Sequence, residues 1–551
     1  MDKARETAMK VLCMVHENGA YANVALVEAF REAKLNNLER RFATELVYGA
    51  VKAGDTLDWM IRQYTKRSLR KMAPYVRAVL RLGMFQLFFL DKIPSAAVCN
   101  ESTELMKKYG HIGTARFINA ILRTATREPE KALIVEGKNE AAYLALAMQH
   151  PTWLIRRWLR AFGREETERL CAFNNAPAVL SLRTNLLRTT RDLLMDRLRK
   201  EGAEVHPSQW APEGVLCTEH GALDAFGSLR EGLFQVQDES SMQVAHVVAP
   251  KQGDFVLDMC SAPGGKTTHL AELMGNRGRI VALDIYDTKL ERVNENAKRL
   301  GISIIETKRL DAREAGSLFS GKADRVLLDA PCSGLGVLRR RPDARWRKSE
   351  EEISHLPGLQ HELLESAARA VRPGGVIVYS TCTIESAENE EVIRSFLAMH
   401  EEFVQETAGM FLPLCPIKSD TVQFFPQRNG IGGFFIARLR RKEAEGMENL
   451  FGLTVEAISA QCYSLGIPQY RAKQITEWMY QKSATDFDLM TNLPKSLRME
   501  LARSFSIRRA KCVERWDSLD GKTSKFLLEF PDCVAVETVL MRQKYGNSVC
   551  I

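Results

Sequence analysis

The feature that most constrains the fold is a regular alternation of apolar and amphipathic segments between residues 253 and 441. The apolar runs, each followed by a helical pattern or a turn, are DFVLDM, RIVALDI, SIIETKRL, DRVLLDA and GVIVYST. Near-continuous apolar strands between helices predict a doubly wound, mostly parallel sheet. Ligands of such sheets bind outside the carboxyl ends of the strands, so functional residues are expected there.

The stretch FVLDMCSAPGGKTTHLAELM, residues 255–274, joins the first predicted strand to a helix. A triphosphate loop needs GxxxxGK[ST], but Cys260 stands where its first glycine belongs, and the GxGxxG spacing of a dinucleotide loop is also absent. What remains is a tight Pro-Gly-Gly turn before a helix N-terminus, where the backbone can approach a ligand closely.

Acidic residues follow the next two predicted strands. Asp284 lies nineteen residues after Gly265, where a carboxylate is placed to bind ribose hydroxyls, and Asp311 could reach a base. A nucleoside-containing cofactor is therefore favoured over a bare phosphate. The alternative for each carboxylate is a capping role for the helix that follows it.

Two cysteines and a carboxylate follow the last two strands of this series. LLDAPCSGLG places Asp329 and Cys332 after one strand, and VYSTCTIESAENE places Cys382 after the next. A lone cysteine on an apolar strand is usually an inert core residue. Beside a methyl donor, however, a thiolate that adds to carbon 6 of cytosine would activate carbon 5, a carboxylic acid near ring N3 would favour the addition, and a second thiol could assist release.

The motifs DMCSAPGGKT, LLDAPCSGLG and YSTCT…ENE resemble those of the RNA cytosine-C5 methyltransferases that use S-adenosylmethionine. The resemblance implies a Rossmann-like methyltransferase domain over residues 236–441, with Cys382 as nucleophile and Cys332 assisting release. Asp329 would contact the base and border the cofactor. One departure is Gly432, where the family commonly has Asp. The implied cofactor residues are Cys260, Ser261, Ala262, Pro263, Gly264, Gly265, Lys266, Asp284, Asp311 and Asp329.

The basic segment VLRRRPDARWRK, residues 337–348, directly follows the Cys332 motif. A charge run of this kind is often only a solvated face. Beside a nucleotide site it favours contacts with an RNA backbone, with Trp346 packing or stacking, and the target base must leave its stack to reach the thiol. The predicted RNA-binding residues are Arg339, Arg340, Arg341, Arg345 and Trp346.

Residues 1–140 read as a helical bundle, and residues 145–235 as a small α/β subdomain. The bundle resembles the NusB-type RNA-binding domain. Its fusion to the catalytic domain resembles the small-subunit rRNA methyltransferase B family, which implies 16S rRNA as partner and a cytosine of the position-967 type as target. A purely structural role for the bundle is the alternative.

A charged linker, RLRRKEAEGMEN, precedes a small, mostly helical segment at residues 448–551 that has strand-like sequence near its end. This segment resembles the N-terminal part of the radical-SAM rRNA adenine-C2 methyltransferases. The chain contains no CxxxCxxC motif and ends before the radical-SAM barrel. We therefore expect no iron–sulfur cluster and no radical chemistry from this segment, which is either an RNA-binding appendage or a shortened fusion.

Composition is compatible with these expectations without deciding among them. The net charge of +8 suits an acidic partner such as RNA, and the cysteines have no zinc or iron–sulfur spacing, so no metal site is expected. The charged N-terminus and the shortness of the longest apolar run, LGMFQLFFL, predict a cytoplasmic chain without a membrane span. A non-catalytic RNA-binding or antitermination-type scaffold is the alternative function, and a small-molecule methyltransferase is disfavoured. Oligomeric state stays open.

Overall fold

A computed structural model describes residues 2–137, 139–219, 221, 223–414, 419–443, 448–530, 534–543 and 546–550. The chain divides into two compact units, 1–442 and 443–551, and each is described by itself. Part of the predicted charged linker, residues 444–447, lies outside the described residues. In the part of the chain that is described, the helices are too short or too polar to cross a membrane.

An N-terminal bundle packs its helices around one apolar core, as the sequence predicts. The helix α3 begins with a capping box, because Asn36 and Glu39 satisfy each other's backbone N–H groups. The helix α4 begins with Pro74, which is well suited to a first helical position. The helices are α1 (Lys3–Glu17), α2 (Ala22–Glu32), α3 (Asn37–Arg62), α4 (Pro74–Phe89), α5 (Ser95–Tyr109) and α6 (Ile112–Arg127).

A small α/β subdomain follows, and it contains the predicted strand–helix–strand series. Its antiparallel sheet has the strand order β2-β3-β1-β4, and its core contains the buried side chains of Leu182, Leu198 and Phe234. The elements are α7 (Glu140–Ala147), α8 (Thr152–Asn175), β1 (Leu180–Thr184), α9 (Arg191–Lys200), β2 (Glu204–Pro207), β3 (Gly214–Glu219), α10 (Gly227–Arg230) and β4 (Phe234–Val236).

The main sheet confirms the predicted doubly wound architecture. Its elements are α11 (Glu239–Val248), β5 (Phe255–Asp258), α12 (Gly265–Leu273), β6 (Arg279–Asp284), α13 (Asp287–Leu300), β7 (Ile305–Arg309), α14 (Ala315–Leu318), β8 (Ala323–Asp329), α15 (Ala344–Arg347), α16 (Glu350–Ser354), α17 (Leu356–Ala370), β9 (Val371–Thr381), α18 (Glu390–Met399), β10 (Phe403–Glu406), β11 (Thr421–Phe424), α19 (Pro426–Asn429) and β12 (Phe434–Arg441).

The strand order β10-β12-β9-β8-β5-β6-β7 places the functional motifs together. Strands β7, β6, β5, β8 and β9 are parallel, and β12 joins β9 antiparallel. The chain leaves β5 toward β6 on one side and returns to β8 on the other, so the carboxyl ends of β5 and β8 form a topological switch point. Buried apolar side chains cover both faces of this sheet, which is why its strands read as continuous apolar runs.

The second unit combines helices with an antiparallel sheet. The predicted strand-like stretch forms β16 and β17, and the flanking β15 and β18 complete a sheet in the order β15-β16-β17-β18. The sequence predicts a mostly helical segment, whereas the structure places four strands in this sheet. The elements are β13 (Glu448–Asn449), α20 (Val455–Ser464), α21 (Gln469–Tyr480), α22 (Lys495–Ser504), β14 (Phe505–Ser506), β15 (Lys511–Asp517), β16 (Thr523–Glu529), β17 (Ala535–Gln543) and β18 (Gly546–Cys550).

Candidate active site

The two predicted reactive cysteines meet at the ends of neighbouring strands. Asp329, the last residue of β8, pairs in register with Ser380 of β9. Each strand then turns, and the turns bring the Sγ atoms of Cys332 and Cys382 to 3.4 Å from each other. The backbone N–H of Gly336 donates to the carbonyl of Cys382 over 3.0 Å, which ties the two turns together.

The pKa values of the two thiols are shifted in opposite directions. The hydrogen bond from the Cys332 thiol lowers the pKa of Cys382, with the charges of Lys266 and Arg341 adding to this effect. The same hydrogen bond raises the pKa of Cys332 well above its ordinary value, and burial and the charge of Cys382 raise it further. A thiolate at Cys382 is therefore stabilised by a protonated Cys332.

Asp329 and Lys266 form an ion pair beside the thiols. The ammonium of Lys266 donates to Asp329 Oδ2 over 2.7 Å, and the hydroxyl of Ser380 donates to Oδ1 over 2.8 Å. Burial opposes the charged ammonium, but the neighbouring Asp329 carboxylate keeps the pKa of Lys266 above its usual value. The pair thus holds one fixed negative and one fixed positive charge next to the Cys382 sulfur.

Two residues of the ENE motif position both turns, a role that the sequence analysis did not assign. The buried carboxylate of Glu388 accepts hydrogen bonds from the backbone N–H of Ser333 over 2.8 Å and from Gln360 over 3.0 Å. The amide of Asn389 donates to the carbonyl of Thr383 over 3.1 Å. Glu388 therefore fixes the turn after Cys332, and Asn389 fixes the turn after Cys382.

The predicted cofactor loop is a tight turn between β5 and α12. Gly264 has a φ of +96°, and a Cβ there would lie 3.2 Å from Val293 of α13, so both conformation and packing require glycine. The Ser261 hydroxyl donates to the Leu283 carbonyl over 2.9 Å, which ties the loop to β6. The start of α12 is thereby held at the switch point.

Carboxylates converge on this loop. After burial, the negative charges of Asp258, Asp329, Asp284 and Asp311 raise the pKa of the Cys260 thiol. Cys260 is thus protonated and packed in the loop, and is not a thiolate. A site surrounded by carboxylates repels polyphosphate and suits a ligand with positive charge, such as a sulfonium and an ammonium group.

Asp258, which the sequence analysis did not single out, strengthens this fit. Its carboxyl group is buried at the end of β5, and its Oδ2 accepts a 2.7 Å hydrogen bond from the Thr267 hydroxyl. Within the described residues its Oδ1 is buried and forms no hydrogen bond of good geometry, although the Cys260 backbone N–H is close enough to the carboxyl group to lower its pKa. Burial raises the pKa of Asp258 to about 7. A donor group on a bound cofactor would satisfy this oxygen.

Asp311 caps the short 3-10 turn Ala312–Glu314, the role considered as its alternative, whereas the N-cap of α13 is Tyr286 and Asp284 forms only a local turn hydrogen bond. Asp284 Oδ1 accepts from the Tyr286 N–H over 3.0 Å, and Asp311 Oδ1 accepts from the Arg313 N–H over 3.0 Å. The Arg313 side chain also lowers the pKa of Asp311. The charges of both carboxylates raise the pKa of Cys260 in the loop, so their local hydrogen bonds do not exclude contact with a cofactor. Asp284 accepts fewer hydrogen bonds than Asp311 does.

The basic segment does not form one exposed face. Arg345 is fully buried, and its guanidinium donates to the Gln149 carbonyl over 2.8 Å and to the Asn175 side chain over 2.8 Å. The Trp346 indole donates to the Val51 carbonyl over 2.8 Å. The prediction that Arg345 contacts RNA is corrected, because its buried guanidinium holds the segment against α8. Trp346 is partly buried and packs against the N-terminal bundle, which is one of the two roles predicted for it.

The remaining arginines of the segment lie closer to the solvent. Arg339 donates to the Pro177 carbonyl over 2.9 Å, and Arg340 donates to Asp238 over 3.2 Å. Both lie partly buried along a pocket of about 100 Å³ that Asp238 and Gly432 also line. Arg341 is exposed and close enough to lower the pKa of Cys382.

Gly432, the departure from the family pattern, lies against this pocket. A Cβ at Gly432 would approach Asp238 Oδ2 to 2.8 Å and Ser240 Oγ to 3.1 Å. A side chain there would have to displace Asp238 from its ion pair with Arg340. At Gly432, where the family commonly has Asp, the Asp238 carboxylate therefore occupies the space that a side chain would need.

Comparison with known proteins adds family matches along most of the chain. The sequence matches the 16S rRNA methyltransferase RsmB/F family over residues 245–440 and the NusB family over residues 2–127. It also matches the RsmF/B-like ferredoxin-like domain over residues 150–224 and the ribosomal RNA large subunit methyltransferase N-terminal domain over residues 448–507.

Individual proteins match over most of their own length. The probable ribosomal RNA small subunit methyltransferase B of Bacillus subtilis is 37% identical, over 80% of this chain and 98% of that protein. The protein of the same description from Synechocystis is also 37% identical, over 80% of this chain and all of that protein. Among solved structures, PH0851 is 31% identical with a TM-score of 0.70, over 80% of this chain and 99% of that one.

Proposed function

Because the chain belongs to the 16S rRNA methyltransferase RsmB/F family, we propose that it methylates carbon 5 of a cytosine of the position-967 type, with Cys382 as the nucleophile. The activity that follows from family membership is S-adenosylmethionine-dependent methylation of small-subunit rRNA. The finer proposal is carried by one observation: two thiols lie 3.4 Å apart and have opposite pKa shifts.

Cys382 begins the proposed reaction. Its thiolate adds to carbon 6 of the cytosine, and the new S–C6 bond breaks the aromaticity of the ring and makes carbon 5 nucleophilic. The lowered pKa of Cys382 favours the thiolate over the thiol. When bound, S-adenosylmethionine supplies the methyl group that carbon 5 attacks, and the carboxylates around Cys260 with Gly264 and Gly265 would hold it.

Asp329 and Lys266 act on the ring in this proposal. Addition at carbon 6 pushes electrons toward ring N3 and the carbonyl oxygen, where negative charge develops. The ammonium of Lys266, paired with Asp329 beside the nucleophile, supplies positive charge and a hydrogen-bond donor for that developing charge. The Ser380 hydroxyl keeps Asp329 oriented during the reaction.

Cys332 acts after methyl transfer. Once Cys382 is a thioether, it no longer carries the charge that raises the pKa of Cys332, so Cys332 releases its proton more readily. As a thiolate it takes the proton from carbon 5, the electron pair of that C–H bond restores the ring, and the S–C6 bond breaks. The overall reaction releases one proton and regenerates the Cys382 thiolate.

The RNA is proposed to approach along the exposed side of the basic segment. Arg341 is exposed beside Cys382, and Arg339 and Arg340 line the adjoining pocket. These guanidinium groups suit the phosphates that flank a base turned out of its stack. A cytoplasmic location, where thiols stay reduced, and binding of rRNA by the N-terminal bundle belong to the same proposal.

Methyl transfer to 16S rRNA by two single variants tests the assignment. Cys382→Ala is expected to give no 5-methylcytosine, because no thiolate adds to carbon 6. Cys332→Ala is expected to accumulate a protein–RNA adduct, because the adduct forms but is released slowly. Mass spectrometry of digested rRNA measures the product, and a denaturing gel measures the adduct.

The buried Cys99 provides a matched control, since Cys99→Ala removes a thiol from the core of the N-terminal bundle and from neither turn. Normal turnover by Cys382→Ala would reject the proposed nucleophile. Adduct formation by Cys382→Ala would instead show that the two cysteines have exchanged roles. A non-catalytic scaffold would bind rRNA but give neither methylated product nor adduct with any variant.

A further inference from the structure

A second cluster of chemically active side chains lies outside the methylation site. Glu213 directly precedes β3, His246 lies on α11, and His269 lies on α12. Their ligand atoms all lie within 4.8 Å of one another. Because 33 residues separate the first two and 23 the last two, no spacing pattern in the sequence reveals the cluster.

The distances within the cluster are short. His246 Nε2 lies 3.0 Å from Glu213 Oε1, and His269 Nε2 lies 3.1 Å from the same oxygen. The side chains of Glu213 and His269 are almost completely inaccessible to solvent, at 0% and 1% exposure, whereas that of His246 is 14% exposed. Three potential metal ligands thus lie close together in the interior, and His246 is the most exposed of the three.

The hydrogen bonding of His269 is incomplete. In the described part of the chain, Nδ1 of this buried imidazole has no hydrogen-bond partner, and Nε2 lies 3.1 Å from Glu213 Oε1 without the geometry of a good hydrogen bond. A buried polar group without a partner costs free energy, so its presence calls for a ligand. A proton shared between Glu213 and His246 would satisfy those two residues and still leave His269 unsatisfied.

The surroundings of the cluster also suit a metal ion. The nearby Arg183 forms a buried ion pair of 2.7 Å with Glu272. The neighbouring cation is thus held by another carboxylate, which leaves the Glu213 carboxylate to the two imidazoles.

We propose that Glu213, His246 and His269 bind one divalent transition-metal ion, for which Zn²⁺ is the probe. Two imidazoles and a carboxylate form a ligand set that Zn²⁺ accepts in tetrahedral geometry, and a water molecule would take the fourth position. The ion joins the small α/β subdomain to helices α11 and α12. Because α12 begins at the cofactor loop, the ion stabilises the base of that loop.

The test measures metal binding independently of methyl transfer. The adjoining thiols of the active site also attract Zn²⁺, so the tag-free chain carries Cys332→Ser and Cys382→Ser throughout. After chelation and dialysis, the expected result is one Zn²⁺ bound per chain and a higher Tm when Zn²⁺ is added. Co²⁺ in its place is expected to give the visible absorption of a four-coordinate site.

His246→Gln is the diagnostic variant, since its side chain reaches solvent and glutamine keeps a similar volume. Losing a direct ligand is expected to lower Zn²⁺ affinity by about 100-fold or more, because losing only a supporting residue costs 10–100-fold. His400→Gln is the control, since the His400 side chain has a similar exposure of 18% and also lies between two carboxylates, both of them partly exposed. It is expected to leave affinity unchanged.

Two results would overturn the proposal: a folded parent chain that binds no Zn²⁺, or equal Zn²⁺ affinity in His246→Gln and its parent. The first would leave Glu213 hydrogen-bonded to protonated histidine as the explanation of the cluster. If circular dichroism shows that His246→Gln does not fold, the Co²⁺ spectrum of the parent chain decides. Absorption of a four-coordinate site supports the proposal, and its absence rejects it.

Discussion

The ends of β8 and β9 carry the same residue type in almost the same place but in different environments. Cys332 follows β8 in a turn that Glu388 holds through the Ser333 N–H. Cys382 follows β9 and faces the charges of Lys266 and Arg341. Because the sulfurs are 3.4 Å apart, the difference in acidity comes from fixed charges and from their mutual hydrogen bond. Environment, not residue type, separates a nucleophile from its assistant.

Lys266→Met is expected to have the largest effect on the difference in pKa between Cys332 and Cys382. Without the ammonium, the pKa of Cys382 rises, so less thiolate is present at neutral pH, and Asp329 loses its ion pair. We expect kcat to fall by about 100-fold at neutral pH, within the range for lost acid–base assistance, and to recover partly as pH rises. The pH dependence of kcat and of iodoacetamide labelling of Cys382 measures this shift.

Lys308→Met, which removes an exposed lysine of β7, is the matched control and should keep the wild-type pH profile. The direction of the shift follows from the lowered pKa of Cys382: the enzyme works on the thiolate, so removing a cation moves its acidic limb toward higher pH. An unmoved limb in Lys266→Met would show that the acidity of Cys382 does not depend on this lysine.

Glu388→Gln is expected to have an intermediate effect on stability and on the reactivity of both cysteines. Glu388 accepts from Ser333 after Cys332 and also from the Thr383 hydroxyl after Cys382. The substitution keeps the shape but can place an amide donor against the Ser333 N–H and the Gln360 amide, which both need an acceptor. We expect a loss of about 1–3 kcal/mol in the free energy of unfolding, the cost of an unsatisfied buried group. Thermal unfolding measures the loss, and peptide mapping is expected to show faster alkylation of both cysteines.

The exposed neighbour Glu391 offers the control, because Glu391→Gln is expected to change the free energy of unfolding by less than about 0.5 kcal/mol. If Glu388→Gln altered the reactivity of Cys332 alone, the two turns would be independent of each other. Unchanged stability and reactivity would remove Glu388 from the positioning role.

Arg341→Met is expected to have the smallest effect. Arg341 is exposed, so its loss should raise the pKa of Cys382 only slightly, and its main effect should be on RNA binding. If it contacts one phosphate, the slope of log K against log salt concentration falls in magnitude by about one. Filter binding of 16S rRNA at several salt concentrations measures the slope.

Arg279→Met removes an exposed arginine at the start of β6, the opposite end of the sheet, and should leave the slope unchanged. An equal change in both variants would mean that the slope reports only net charge. No change in Arg341→Met would place the RNA path elsewhere.

The sequence predicts the sheet and the position of both thiols because local patterns determine them. Apolar runs define the strands, and parallel strands place Asp329, Cys332 and Cys382 at one edge. The burial of Arg345 depends on distant parts of the chain, because its acceptors Asn175 and Gln149 lie 170 and 196 residues away in sequence. A run of arginines has the same sequence whether its side chains are solvated or buried. Charge runs therefore indicate a candidate surface, and only tertiary packing shows which arginines reach it.

The roles of Glu388 and Asn389 are hidden for a related reason. Both belong to a motif visible in the sequence, but their partners are backbone groups of turns, which have no sequence signature. The Glu213 cluster is hidden more completely, because its residues come from separate elements with unrelated spacing. Residues that act through other residues are thus the part of a site that motifs reveal least.

The contact of Trp346 with Val51 has a consequence for the order in which the protein is made. The two residues are 295 positions apart, and ribosomes add about 5–20 residues per second, so the bundle waits about 15–60 seconds for its partner to emerge. During that time the surface of Gly54 that Trp346 later covers is open to the cell. Trp346 lies only fourteen residues after Cys332, so the bundle is closed by the same stretch of chain that carries one of the two thiols.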